Sequence, residues 1–159
     1  MPNGKTHKTV GTACGALAAA SRTRPEDGEA NLFIAIGGGV GGYIASRWPD
    51  LWEPAICPNH RQIAHSVVAG GSLLTYAIRV VPEWEARWRA VAIDASERRL
   101  APSTPQADQM LLSIVEIFAW VMVGLLAGLA AGYLSHLALD GCTPAGLPLI
   151  GLCGPASGA

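Results

Sequence analysis

Charge is scarce in this chain. Asp, Glu, Lys and Arg make up 14% of its 159 residues, against about a quarter in an ordinary soluble domain. Neither sign prevails: 11 basic residues stand against 12 acidic ones, for a formal net charge of −1. Nothing here favours a nucleic-acid backbone, and no nucleic-acid partner is expected. Cysteine is equally sparse. Cys14, Cys57, Cys142 and Cys153 are scattered with no CxxC pair, so neither a zinc ribbon nor a disulfide framework is indicated. Cys14 lies in an apolar run and reads as a small core residue. Strand-period alternation and internal repeats are missing as well.

What fills the space is apolar. Half of the residues are hydrophobic and 19 are glycine, a combination that points to a membrane protein or a very buried helical one. The length fits one domain over residues 1–159. The fold expected is all-α: an antiparallel, membrane-embedded bundle of about four main helices with an extra amphipathic segment. His7 to Ala20 is the first helix; its lysines, Lys5 and Lys8, followed by an apolar run imitate a secretory signal. Ser21 to Asn31 reads as a loop, with Asn31 capping a second helix from Leu32 to Arg47. That helix carries Gly37, Gly38, Gly39, Gly41 and Gly42. So much glycine is costly in water but allows close helix approach in a bilayer; a nucleotide-loop reading lacks the strand–turn–helix context.

The third helix is expected over Gln62 to Val81. Pro82 to Gln109 is the one strongly polar stretch, read as an insertion or interfacial segment, with Trp84 and Trp88 at headgroup level and arginines toward anionic lipid. Met110 to Leu139 is the clearest signal. Only Glu116 and His136 ionise in that run, which exceeds the roughly 20 residues that span a bilayer. Gly124, Gly128 and Gly132 recur at spacings of four within it.

Against this apolar background the polar residues converge. Arg47 to Ser66 reads RWPDLWEPAICPNHRQIAHS, and Pro49, Pro54 and Pro58 are expected to keep its middle out of helix. With the helices folded up and down, His7 opens the first, Asp50 and Glu53 follow the second, His60 and His65 open the third, and His136 and Asp140 close the fourth. All four histidines of the chain then lie at one end. Carboxylates and imidazoles are ligands for divalent metals, and His136 and Asp140, four apart, share one helix face. The set is too rich for one tetrahedral zinc and suits one or two ions with supporting groups. The plainer alternative is that His136 and Asp140 simply pair and Asp50 caps a helix.

At these residues the sequence resembles the predicted inner-membrane metal-dependent hydrolases of the YdjM type. That pattern appears as His7, Pro49-Asp50 with Glu53, His60-Arg61 with His65-Ser66, and His136-Leu137 with Asp140, then Thr143-Pro144-Ala145-Gly146. It covers almost the whole chain outside Pro82 to Gln109. Ala64 replaces a common Thr, and Gly141 stands where Ser or Leu is usual. The resemblance implies a multi-pass protein of the inner (plasma) membrane with the lipid bilayer as partner, a divalent-metal site and hydrolytic activity. A more distant likeness to zinc-dependent phospholipase C directs attention to a phosphoester, of a lipid or otherwise.

On this reading zinc is the expected ion, activating water toward a phosphoryl or acyl centre. His60, His65, His136 and Asp140 are the expected ligands, with His7 and Asp50 completing the set or binding a second ion. Glu53 is expected as general base, and Arg61 as a clamp for an anionic substrate. Ser66 is expected to orient a ligand or cap the helix. Seven arginines at the end away from the site, against four basic residues at the site end, turn the site outward under the positive-inside rule. The rival readings are a non-enzymatic metal-binding or ion-transporting membrane protein and a partner-binding subunit. A conduction path requires polar residues along the bundle, whereas here they gather at one end.

Overall fold

The computed structural model describes residues 4–53, 63–143 and 146–149. Every regular element among them is helical: α1 (Gly4–Ala20), a 3₁₀ turn (Pro25–Ala30), α2 (Asn31–Ala45), α3 (Trp48–Trp52), α4 (Val67–Leu100) and α5 (Gln106–Gly141). In α1 the hydroxyls of Thr9 and Thr12 bond back to the carbonyls of Lys5 and Lys8 at 3.0 and 2.8 Å, so these polar side chains are satisfied within the helix. Asn31 is not the cap anticipated for α2. The 3₁₀ turn runs straight into the helix, and the Asn31 N–H already bonds to Gly28 and Glu29 carbonyls. Pro49 does not keep its segment out of helix either. It sits in the first turn of the five-residue α3, where a missing N–H costs nothing.

The largest departure is Pro82. The sequence places a boundary there, yet α4 continues through it for 34 residues. An interior proline loses one backbone bond and costs about 3 kcal/mol. Contacts on both sides of it offset that loss. Toward the start of α4, Gly70 lies against Leu137 of α5. Beyond Pro82, the Trp84 indole N–H donates to the Met122 carbonyl at 2.6 Å. Further along, Arg22 pairs with Glu85 at 2.5 Å and Arg89 with Asp27. One face of the stretch expected to be an insertion or interfacial segment packs on protein, where Trp88 lies against Ala19, Ile34 and Val123 and Glu85 and Arg89 are buried; Glu83, Arg87, Val91 and Arg98 on its other side are exposed. Arg99 pairs with Glu116 at 2.9 Å.

Consecutive long helices run in opposite directions, so α2 and α5 run parallel, and these two touch directly. The contact is made of glycine. A Cβ at Gly128 would fall inside the Gly38 carbonyl oxygen, and one at Gly132 inside that of Gly42. On the other side of α2, Gly38 lies against Gly15 and Gly42 against Gly11 of α1. The three helices thus meet in rungs spaced four residues apart: Ala19, Ile34 and Gly124; then Gly15, Gly38 and Gly128; then Gly11, Gly42 and Gly132. The next rung holds His7, Ser46 and His136.

The outer surface is apolar. Leu32, Ile36 and Val40 of α2, Ile78 of α4, and Ile114 and Phe118 of α5 are exposed. Among the described residues, α5 is the one helix long and apolar enough to cross a membrane; its 36 residues extend about 54 Å.

Candidate metal centre

The fourth rung closes a cluster of imidazoles and carboxylates. His136 is fully buried on α5, and its Nδ1 lies 2.7 Å from the Ser46 carbonyl at the end of α2. A carbonyl only accepts, so Nδ1 carries the proton and Nε2 presents a lone pair. His65, also fully buried, precedes α4; its Nδ1 lies 3.0 Å from Glu53 Oε2. The carboxylate again fixes a proton on Nδ1 and turns Nε2 toward His136. The two Nε2 atoms face each other at 3.3 Å.

Two carboxylates complete the arrangement. Asp140, one turn beyond His136, places Oδ2 at 3.3 Å from His136 Nε2 and 3.6 Å from His65 Nε2. Asp50, on α3, places Oδ1 at 3.4 Å from His65 Nε2 and 3.5 Å from His136 Nε2. The two Nε2 atoms thus lie 3.3 Å apart and each meets both carboxylates at 3.3–3.6 Å, close approaches that a cation among them would favour. An ion held tetrahedrally at about 2.0–2.1 Å has ligand atoms about 3.3–3.4 Å apart. The donor set fits a divalent ion on this test. Without one, a proton on His65 fills part of the role. Burial pushes its pKa down, but hydrogen bonds to Asp50 and Glu53 outweigh this and hold it above 6.5. The hydrogen bond to His65 in turn holds Asp50 below 3.8, against the effect of burial.

His7 adjoins this centre. Its ring stacks on His136 with centroids 4.0 Å apart, and its Nε2 lies 3.9 Å from the other oxygen of Asp140, Oδ1. His7 Nδ1 is buried and has no hydrogen-bond partner among the described residues. Two groups of three ligand-type side chains are thus available around one shared residue, His136: Asp50, His65 and His136, and His7, His136 and Asp140.

The sequence-derived set of His7, Asp50, His65, His136 and Asp140 is brought together here. His60 and Arg61 lie outside the described residues. Glu53, expected as general base, is held by contacts outside its own helix: its Oε1 accepts the Ala64 N–H at 2.9 Å while Oε2 holds His65. Both oxygens are committed to fixing the loop before α4. Ser66 caps α4, accepting the Ala69 N–H at 3.1 Å.

Two residues escaped the sequence reading. Ser46 acts through its carbonyl, which leaves no trace in residue type. Tyr133 donates its hydroxyl to the Ala64 carbonyl at 2.5 Å, tying α5 to the residue beside His65. Its spacing of three before His136 and seven before Asp140 puts all three on one face, a signal that was available. The five-residue α3 leaves Asp50 half exposed, so the centre opens on that side.

Searches among curated proteins and among solved structures return no match. The model of the family described as YdjM inner membrane protein matches residues 1–151, and the chain belongs to that family.

Proposed function

We propose that this chain is a multi-pass inner-membrane protein that holds a divalent metal ion, zinc in the first instance, and uses it to hydrolyse a phosphoester or other ester. The observation that carries the reading is the approach of two buried imidazole Nε2 atoms to each other at 3.3 Å and to a carboxylate oxygen each of Asp50 and Asp140 at 3.3–3.6 Å, the other imidazole nitrogens being already engaged. His65, His136, Asp50 and Asp140 hold the ion; His7 and the second oxygen of Asp140 border it and contribute to a second site. The ion supplies Lewis acidity and makes water a nucleophile near neutral pH. Glu53 and the Ser46 carbonyl orient the two imidazoles, as the outer groups of metal sites do. The half-exposed Asp50 side admits substrate.

The exposed apolar side chains of α2, α4 and α5 support bilayer contact. The excess of arginine at the opposite end favours a site turned away from the cytoplasm. An ion-conducting role is disfavoured because α1, α2 and α5 meet backbone to backbone below the site, leaving no polar path among them.

Metal analysis of purified protein tests the reading. The parent is expected to carry stoichiometric zinc, and a His65→Ala/Asp140→Ala variant to carry none. Zinc retained by the variant contradicts the ligand assignment. Chelator-sensitive cleavage of generic phosphodiesters and esters then distinguishes an enzyme from a metal-binding scaffold.

A further inference from the structure

A cavity of about 380 Å³ lies between α4 and α5, roofed by Trp48 and Trp52 of α3. Its volume falls within the range of small-molecule sites. The wall from α4 runs from Ala69 to Val80, about 16 Å along the helix axis. The wall from α5 runs from Tyr133 down to Leu126. The cavity is therefore long, narrow and parallel to the helices. Its length matches the depth of one leaflet, half of a hydrocarbon core of about 30 Å.

The upper end of this cavity is the metal centre's neighbour. Ala69 is one turn past Ser66 and His65, and Tyr133 is one turn before His136. Trp48 and Trp52, four apart on one face of α3, stack at 5.9 Å over the cavity, while Asp50 between them in sequence turns its carboxylate to His65 and His136. Among the described lining residues at that end, Tyr133 turns its hydroxyl to the Ala64 carbonyl. What remains inside is apolar.

We propose that this cavity takes one acyl chain of a bilayer phospholipid, so that the substrate of the centre is a lipid ester. The assignment of the ester to the centre rests on the hydrolytic reading above; the binding of the chain does not. Hydrolysis adds the hydroxyl of water to the phosphoryl or acyl centre, breaks the bond to the ester oxygen, and leaves the second proton on that oxygen. No other reactant is needed. The chain lies along α4 and α5 with its methyl end near Val80, and its polar end emerges beside Asp50.

Photolabelling the zinc-loaded full chain in micelles with a phosphatidylglycerol that carries a mid-chain diazirine tests the proposal. Saturable labelling is expected on peptides containing Leu73 to Val80 and Leu126 to Tyr133, competed by unlabelled phosphatidylglycerol. Ala77→Phe/Ala130→Phe, which fills the cavity, is expected to lower that labelling at least tenfold with zinc content unchanged. Val80→Trp, at the end remote from the metal, provides a second variant, expected to move the labelled position toward Trp48. Unsaturable labelling spread over the exposed faces of α2 and α5, or undiminished labelling in the filled variants, overturns the proposal. If zinc binds and the chain does not, the lipid assignment alone falls. If the chain binds and zinc does not, the metal reading falls and the acyl cavity stands.

Discussion

The two ends of the molecule treat buried charge in opposite ways. Away from the metal centre, Arg89 meets Asp27 and Arg22 meets Glu85. Asp27 also accepts the Arg24 N–H at 2.8 Å, and Arg89 donates to the Arg22 carbonyl at 3.2 Å. Each charge there is answered by one of opposite sign from the same chain. At the other end, imidazoles face carboxylates. His65, His136, Asp50 and Asp140 bring two carboxylates and two imidazole Nε2 atoms together, and within that foursome the one positive charge on offer is a proton on an imidazole. The first arrangement pairs its charges as folded, with only the Arg89 Nε buried and without a hydrogen-bond partner among the described residues, and holds the α1–α2 connection against α4. The second requires something the foursome does not itself supply, which is why it reads as a site and the arginine end does not.

Three measurements break or sharpen this contrast. Arg89→Ala is expected to have the largest effect. It leaves Asp27 buried without its partner and costs about 3–5 kcal/mol of stability, read as a lower midpoint of unfolding in detergent, while zinc affinity of the folded protein is unchanged. A loss of zinc affinity equal to that of a ligand variant breaks the separation of the two ends. Glu53→Gln is expected to act the other way. It keeps an oxygen for the Ala64 N–H but weakens the fixing of His65, lowering zinc affinity about 10–100-fold, or about 1.4–2.8 kcal/mol, with little change in unfolding. An unchanged affinity places Glu53 outside the metal's support.

The smallest effect is in pH, and its sign is the informative part. In chelator-treated protein, His65 is held above 6.5 by Asp50 and Glu53 despite its burial. Its contribution to stability is then fully present below about 6.5 and lost as pH rises through the folded value. Asp50, held below 3.8 by His65, contributes above about 3.9 and loses that contribution as pH falls through its folded value. Chelated protein is therefore expected to be least strained at the site between about pH 4 and 6.5 and to weaken above it. Zinc requires both imidazoles deprotonated, so the zinc-loaded protein should gain stability over the same rise. Thermal unfolding from pH 5 to 8, with and without chelator, checks the opposed slopes; parallel slopes contradict the model of competition between proton and metal.

Much of the site was legible because its residues are rare in this chain. With only four histidines in an apolar sequence, an alternation of helix directions sufficed to bring His7, His65 and His136 to one end, and the spacing of four between His136 and Asp140 gave their common face. Roles were less legible than membership. Glu53 looked available because nothing in its own helix could hold it; its partners, Ala64 and His65, come 11 and 12 residues later in sequence. Helix boundaries failed where tertiary contacts overrule local preference. Pro82 reads as a break, and the ion pairs and the Trp84 bond that offset it come from residues far away in sequence. The closeness of the glycine helices was readable, but which helices they join was not.

The rungs of α1, α2 and α5 carry one further consequence. The distance between His7, the Ser46 carbonyl and His136 is set by the same period that stacks Gly11, Gly42 and Gly132 and then Gly15, Gly38 and Gly128. The coordinating groups are, in effect, the last teeth of a zip whose other teeth are bare backbone. A methyl group added at Gly38, two turns away from any imidazole, pries the jaws apart without touching a ligand, and the misfit is passed upward as a change of aperture.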